Sequence, residues 1–373
     1  MRARLSWIDG LKGIACLGVF LTHFFGIFYL WVERSDLNLS PICVWLLDYP
    51  FKILINGNFM VALFCIISGY LVARKDIMSL KELFRAIVSR YLRLAVPVFG
   101  CCLYVFLSQT IVGFYNQEVG SFLNNTWLKG YYVNSINFRE VIAISFWRLW
   151  LYSDSYINGP FWMMKSLFIS SILILTAQYM LNRFPKIRVF LILAMGLVAL
   201  KTPIYFGCIS GMLFVNNLEA VHTAATTTGK RVIGNIGGEG RLHSGRFIYI
   251  LLMVLSLTVV WIIPQWGGIN EYLIVVCAWL CILAIMKLKF LQQILSLNVF
   301  LRLGGISFAI YGLHWPIMCS LGLKIFMYLY PSNSYTLAVA IDFIIVVLST
   351  LGISFIYSKY VEKPCLIMMK KYL

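Results

Sequence analysis

Long apolar segments, each close to the length needed to cross a membrane, constrain this sequence more than any other feature. About 20 apolar residues in a helix span the hydrocarbon core of a bilayer. Short polar stretches separate the segments, and 61% of the 373 residues are hydrophobic against 12% charged. Ten spans can be drawn, of which the fifth and sixth are short: residues 11–31, 53–73, 94–114, 160–181, 187–200, 204–217, 247–263, 271–287, 303–325 and 336–358. The sequence therefore predicts an all-α, polytopic membrane helix bundle that folds as a single domain over residues 1–373.

Basic residues predict the orientation of these spans. Lys and Arg concentrate on the cytoplasmic side of membrane proteins. If the N-terminus is cytoplasmic, most of the 31 lysines and arginines fall in cytoplasmic segments, so both termini are expected in the cytoplasm. Topology then explains the net charge of +17, and no nucleic-acid partner is expected. The ten cysteines show no metal or disulfide spacing, and we interpret them as small hydrophobic residues.

The first span contains a histidine, His23, inside an otherwise apolar run. Ionisable residues are costly in a membrane and by default indicate a functional site. Lys12 lies eleven residues earlier, which is three helical turns plus about 20°, so it shares a helix face with His23 and lies roughly 16 Å away. Asp9 falls within about 40° of the same face. The sequence predicts a polar stripe from the membrane edge to the imidazole, with structural hydrogen bonding to a neighbouring helix as the alternative.

A second polar stripe occurs in the ninth span. Ser307, Tyr311 and His314 follow one another at spacings of four and three residues, which places them on one narrow helix face. Pro316 leaves the carbonyl one turn before it without a helical donor, so a kink and a backbone that lines a cavity are expected there. These features favour a pore or substrate-binding surface.

The strongest basic cluster in the chain, residues 85–97, immediately precedes the third span. Arg90 and Arg93 are three residues apart and share a helical face, where two guanidinium groups can bind a phosphorylated ligand. Topogenic charge with contact to anionic lipids is the alternative.

Two long segments separate the predicted spans. Residues 115–160 form the predicted outer segment, which is rich in Trp, Tyr and Asn and could line a sugar site. Within it, residues 139–153 fit either a helix lying in the membrane interface or an aromatic belt. Residues 218–246 form the predicted cytoplasmic loop, whose glycines and basic residues could bind phosphate, although a flexible linker is favoured. His222 and His243 lie in this loop and are interpreted as solvated.

Taken in order, these residues resemble the acyltransferase 3 family of integral membrane acyltransferases, which modify cell-surface and exported glycans of bacteria. The most specific element is Lys or Arg, ten residues, then His, which Lys12 and His23 match with support from Asp9. The resemblance covers nearly the whole length. Its further elements are Ser68-Gly69, Arg90 with Arg93, residues 159–168 including Trp162, the stripe Ser307, Tyr311 and His314, and Glu362-Lys363-Pro364.

The resemblance implies an O-acetyltransferase-like enzyme of the bacterial plasma (inner) membrane, with acyl-CoA, most simply acetyl-CoA, as the donor and no metal. The expected acceptor is a hydroxyl of a surface polysaccharide, glycolipid or lipid-linked sugar. Membrane lipid, a homo-oligomer and glycan-assembly proteins are the further partners to consider. The chain departs from many relatives at Lys12, where they carry Arg, and at Lys165, where they carry an acidic residue or Arg.

The implied roles divide the candidate residues into three groups. His23 is the catalytic residue, acting as a general base or carrying the acyl group, with Asp9 beside it in the first span. Lys12, Arg90 and Arg93 bind the donor. Pore or substrate positions are Ser307, Tyr311, His314, Ser68 and Trp162, although helix packing is the simpler role for Ser68. A transporter or flippase for a lipid-linked sugar or polysaccharide precursor is the alternative function, and a structural subunit of a glycan-assembly complex is a third.

Overall fold

The computed structural model describes residues 5–215 and 239–372, of which 239–245 and 370–372 are described by their main chain alone. All regular structure in these ranges is helical, as predicted. The α-helices, in chain order, are α1 (Ser6–Phe25), α2 (Pro41–Asp48), α3 (Gly57–Ala73), α4 (Leu80–Ile111), α5 (Asn116–Phe122), α6 (Thr126–Lys129), α7 (Phe138–Ala143), α8 (Leu149–Tyr152), α9 (Met164–Arg183), α10 (Arg188–Ala199), α11 (Pro203–Gly211), α12 (Glu239–Ile262), α13 (Ile269–Lys287), α14 (Lys289–Leu295), α15 (Asn298–Gly305), α16 (Ser307–Ile317), α17 (Leu323–Leu329), α18 (Tyr335–Tyr357) and α19 (Lys363–Tyr372).

Several helices continue into tighter or wider turns. Short 3₁₀ segments occupy Gly159–Met163, Pro185–Ile187 and Tyr330–Ser332. Single π-helical turns occupy Gly26–Leu30, Ile144–Arg148, Met318–Gly322 and Ser358–Glu362. Turns of this kind inside α-helices occur frequently at functional sites.

Five helical segments of the described chain are long and apolar enough to cross a membrane. They are Ser6–Leu30, Leu80–Ile111, Gly159–Arg183, Ile269–Lys287 and Tyr335–Met369. A sixth span exists if Asn298–Gly305 and Ser307–Ser332, bent by 66° at their junction, are counted as one. A multi-pass membrane protein is therefore confirmed, whereas ten spans and cytoplasmic termini remain predictions.

The predicted fifth and sixth spans correspond to the short helices α10 and α11. Most of the predicted cytoplasmic loop, including His222, lies outside the described residues, as does the side chain of His243. The phosphate-binding and linker interpretations of that loop therefore stay predictions.

The chain divides into two compact units. The first comprises Met1–Ala15, Asn58–Ile87 and Ile169–Leu301, and the second comprises Cys16–Gly57, Val88–Phe168 and Arg302–Leu373. Folding as a single domain stays a prediction.

In the first unit, α3 is closely packed by its neighbours. A Cβ added at Gly69 would lie 1.7 Å from the carbonyl oxygen of Cys208, so only glycine allows this approach of α3 to α11. At the end of α3, the side-chain amide of Gln178 donates to the Ala73 carbonyl, and Asn182 donates to the Ile77 carbonyl at 3.0 Å. The first bond satisfies a carbonyl that the helix end leaves without an intrahelical donor, and the second holds the segment between α3 and α4.

In the second unit, α16 packs against α18, and the residues from 116 to 163 fold into short helices rather than an open loop. The predicted interfacial stretch 139–153 is helical over most of its length. Trp147 is exposed, but Trp150 is buried, and its indole donates to the Ser145 carbonyl at 2.7 Å. Trp150 is therefore a packing residue rather than part of an aromatic belt. All four π-helical turns belong to this unit.

Candidate active site

The second unit contains a pair of histidines in contact, one from α1 and one from α16. Nδ1 of His23 lies 2.8 Å from Nε2 of His314, and the ring centroids are 5.0 Å apart at an angle of 18°. His314 is fully buried at 0% exposure, while His23 is partly exposed. The structure thus joins the ends of two polar stripes that the sequence predicted separately.

Hydrogen-bond partners fix the direction of this pair. Nδ1 of His314 lies 2.9 Å from the Ile310 carbonyl oxygen, which can only accept, so this nitrogen carries the proton. Nε2 of a neutral His314 then accepts, and Nδ1 of His23 must be the donor. The one ring nitrogen of the two histidines that keeps a free lone pair is then Nε2 of His23. Among the described residues no protein group hydrogen-bonds to that nitrogen, which leaves it as a base or nucleophile.

Aromatic rings surround His23. Trp127 is stacked on the imidazole, with centroids 5.9 Å apart and planes 8° from parallel. Trp315 lies 5.7 Å from the imidazole centroid and 4.8 Å from that of Trp127. The fourth ring of the group is Tyr131, whose centroid is 4.9 Å from that of Trp315. Such rings form an apolar, flat-walled surface that suits the faces of amphipathic ligands.

Trp127 belongs to α6, which Asn125 ties to the end of the first span. The buried Asn125 amide donates to the carbonyls of Gly26 and Ile27, each at 3.2 Å. Its oxygen accepts from the Leu128 amide at 3.0 Å and caps α6. The π-helical turn begins at Gly26, three residues beyond His23. Residues 115–160 are therefore anchored next to the histidine pair.

Tyr131 is held in place by its own main chain. Its carbonyl accepts from Gln117 at 2.8 Å, and Gly159 leaves room for its ring, since a Cβ there would lie 2.4 Å from it. The next residue, Tyr132, has a positive φ of 50°, which is unusual for a residue with a bulky side chain. Its ring stacks on that of Phe114, with centroids 3.8 Å apart. Burial raises the pKa of the Tyr131 phenol, so this group remains a neutral hydroxyl at physiological pH.

The other residues of the second stripe support α16 rather than contacting His23. The Tyr311 hydroxyl donates to the Pro160 carbonyl, and the Ser307 hydroxyl donates to the Gly304 carbonyl at 2.9 Å. Trp162 is 45% exposed, whereas the preceding Phe161 is buried against Tyr311. Pore-lining roles for Ser307, Tyr311 and Trp162 stay predictions.

Asp9, Lys12 and Ser68 belong to the first unit. The Lys12 ammonium is 3.1 Å from an oxygen of Asp9, so the acid and base at the start of α1 form an ion pair. Arg90 and Arg93 lie in the part of α4 that belongs to the second unit, and Arg90 is partly exposed while Arg93 is exposed. Their predicted donor-binding roles stay predictions.

Sequence reasoning missed Trp127, Tyr131, Trp315 and Asn125 as individual site residues. Two signals were present: the richness of residues 115–160 in Trp, Tyr and Asn, and the position of Trp315 directly after His314. In the described part of the chain, no cluster of three or more His, Cys, Asp or Glu residues is arranged to hold a metal ion.

A multi-pass helical membrane chain with one available imidazole nitrogen among aromatic rings defines a class of protein suited to base or nucleophilic catalysis within the bilayer. The family comparison makes that class specific. The family model for the acyltransferase domain of acyltransferase 3 proteins matches residues 5–359. The chain belongs to the acyltransferase 3 family, as its motifs predicted. No curated protein and no solved structure matches the chain.

Proposed function

We propose that this protein transfers an acyl group, most simply acetyl, from cytoplasmic acyl-CoA to a hydroxyl of a surface polysaccharide, glycolipid or lipid-linked sugar. The observation that carries the proposal is the hydrogen bond from Nδ1 of His23 to Nε2 of His314, which leaves Nε2 of His23 as the reactive atom. Membership of the acyltransferase 3 family supports the reaction class.

His23 acts as the general base. Its Nε2 takes the proton of the acceptor hydroxyl while the hydroxyl oxygen forms a bond to the thioester carbon. The C–S bond then breaks, and the imidazolium returns the proton to the CoA thiolate, giving an ester and a free thiol. In the alternative route Nε2 attacks the thioester carbon, the C–S bond breaks, and CoA leaves as the thiolate. The acceptor hydroxyl then attacks the acyl carbon, the bond to Nε2 breaks, and the hydroxyl proton passes to the thiolate, giving the same ester and free thiol.

His314 is a positioning residue. As His23 gains a proton, its Nδ1–H becomes a charged donor, and the hydrogen bond to His314 strengthens when it is most needed. The fixed bond of His314 to the Ile310 carbonyl keeps its accepting nitrogen directed at His23.

The donor is bound by basic residues in this proposal. Arg90 and Arg93 contact CoA phosphates, because guanidinium groups on one helical face match phosphate oxygens. Lys12, held by Asp9 at 3.1 Å, adds a positive charge at the cytoplasmic mouth. The proposed location is the bacterial inner membrane, with lipid and the glycan acceptor as partners and a homo-oligomer or glycan-assembly proteins as further ones.

The test is acyl transfer in bacterial membrane vesicles that contain the protein and their own glycolipids and glycans. Radiolabelled acetyl-CoA is added, and label in the lipid and glycan fractions is measured together with release of free CoA thiol. We expect His23→Ala to abolish both signals. His222→Ala, a histidine substitution in the predicted loop, is the matched control and should transfer normally.

Wild-type transfer by folded His23→Ala protein would refute the catalytic role. If purified protein shows no acetyl-CoA affinity by titration calorimetry but moves a fluorescent lipid-linked sugar across vesicles, the transporter function is supported instead.

A further inference from the structure

The indole N–H of Trp315 is a buried donor without an acceptor. Trp315 is 0% exposed, and no described protein atom accepts a hydrogen bond from its Nε1. A polar group buried in this way is unfavourable, because it has lost its bonds to water and gained none in return. Such groups in a native structure call for an explanation, often a catalytic role.

Two other tryptophans, the buried Trp150 and the partly buried Trp279, do have acceptors for their indole N–H. The Trp150 indole donates to the Ser145 carbonyl at 2.7 Å, and that of Trp279 donates to the Ser210 carbonyl at 3.2 Å. The difference at Trp315 is its location, since its ring lies 5.7 Å from that of His23. The ring that carries the unpaired donor therefore borders the histidine site.

Acyl transfer needs a donor of this kind. When a hydroxyl attacks the thioester carbon, the carbonyl electron pair moves onto oxygen, and a fixed hydrogen-bond donor stabilises that negative charge. Nδ1 of His23 already donates to His314. Trp127 lies parallel to the imidazole of His23, and its side chain is only partly buried. Trp315 differs from it, because its N–H is buried and has no acceptor among the described residues.

We propose that Trp315 is a catalytic residue whose indole N–H binds the acyl carbonyl oxygen in the transition state of transfer. This inference rests on the proposed acyltransferase function. It assigns three separate tasks within one site: His23 moves the proton, His314 orients His23, and Trp315 stabilises the oxyanion. Trp127 and Tyr131 cover the indole, so one of these rings must move when the acyl group reaches it.

The test removes the donor while keeping the ring. Trp315 is replaced by 3-benzothienylalanine, in which sulfur stands in place of the N–H, and acetyl transfer is measured in the vesicle assay. We expect kcat to fall about 100-fold, in the range found for loss of one oxyanion donor, with KM for acetyl-CoA nearly unchanged. Trp315→Phe should show the same loss, and if it does not fold, the isosteric analogue decides.

The matched control replaces Trp150 with the same analogue, because the Trp150 N–H has an acceptor and lies outside the site. The kcat of this control protein should stay near that of the wild type. Unchanged kcat for the Trp315 analogue, or an effect confined to KM, would overturn the inference. The His23→Ala result separates the two failures. If His23 is required but the Trp315 analogue is fully active, only the role of Trp315 is lost, and if His23 is dispensable, the proposed function fails first.

Discussion

Replacing His314 tests how the histidine pair works. His314→Leu removes the acceptor for Nδ1 of His23 but keeps a side chain of similar size in this fully buried position. His314→Gln retains a side-chain oxygen that can accept the same hydrogen bond. The two variants therefore differ mainly in the property that the proposed mechanism requires.

The expected loss can be worked out from the hydrogen bond. A neutral bond contributes about 1 kcal/mol and a bond from a charged donor about 1.5–3 kcal/mol. Only the difference, about 0.5–2 kcal/mol, lowers the barrier, because the rest is already present in the ground state. That corresponds to about 2- to 30-fold in kcat. Without His314, the imidazole of His23 can also carry its proton on Nε2, and in that tautomer Nε2 cannot act as a base. The loss of kcat in His314→Leu should therefore lie near the upper end of the range, at about 30-fold.

The measurement is kcat and KM for acetyl-CoA in the vesicle assay, with protein content and thermal unfolding checked for each variant. His314→Gln is expected to recover most of the activity that His314→Leu loses, while KM stays constant in both. Equal activity of the Leu variant and the wild type would refute the positioning role. So would equal losses in both variants with matched stability, because a lost acceptor could not then be the cause.

Three further changes test the packing that supports the site, each by thermal unfolding of purified protein. Asn125→Ala should lower stability by about 2 kcal/mol, since it removes a helix cap and two buried hydrogen bonds to main-chain carbonyls. It should also reduce transfer, and full activity would show that α6 is not needed at the site. Gly69→Ala should strongly destabilise the protein, because the new Cβ would clash with a main-chain oxygen of α11. Gly196→Ala is the control: no atom lies within 4 Å of the new Cβ, so it should stabilise its helix by about 0.5–1 kcal/mol. Similar effects at both positions would contradict the close approach of α3 to α11. Thr350→Val should raise stability by about 1 kcal/mol, because the buried Thr350 hydroxyl has no protein partner among the described residues. Thr22→Val should lower stability, because the Thr22 hydroxyl donates to the Gly18 carbonyl at 2.8 Å.

The helices and the family could be predicted from the sequence because both depend on local patterns. Apolar runs set helix positions, and the spacing of Lys12 and His23 lies within one helix, which the structure shows as continuous from Ser6 to Phe25. His314 could also be identified as a candidate site residue from its place in an apolar span.

The contact between His23 and His314 could not be predicted, because it joins residues that are 291 positions apart. No periodicity records which faces of two helices meet. Likewise, the richness of residues 115–160 in aromatic residues indicated a binding surface, but only the fold of α6 onto the end of α1 selects Trp127 from among them. The ring nitrogen of His23 that keeps its lone pair is determined by the bond from His314 to the Ile310 carbonyl. Every residue type has such a carbonyl, so no sequence pattern marks it.

A neutral partner for His23 suits a site built from membrane helices. A carboxylate in place of His314 would stabilise the imidazolium more strongly, but an ionised group near the centre of a span costs about 2.5–3.5 kcal/mol even by insertion measurements. His314 avoids that permanent charge, because neither histidine needs to be ionised before the reaction starts. In the proposed mechanism, charge arises only in the transition state, on the imidazolium and on the acyl oxygen together, with His314 and Trp315 as their respective partners. The modest effect expected for His314→Leu follows from this arrangement, since a neutral acceptor contributes less than a carboxylate when it is present and its removal leaves no unpaired charge behind.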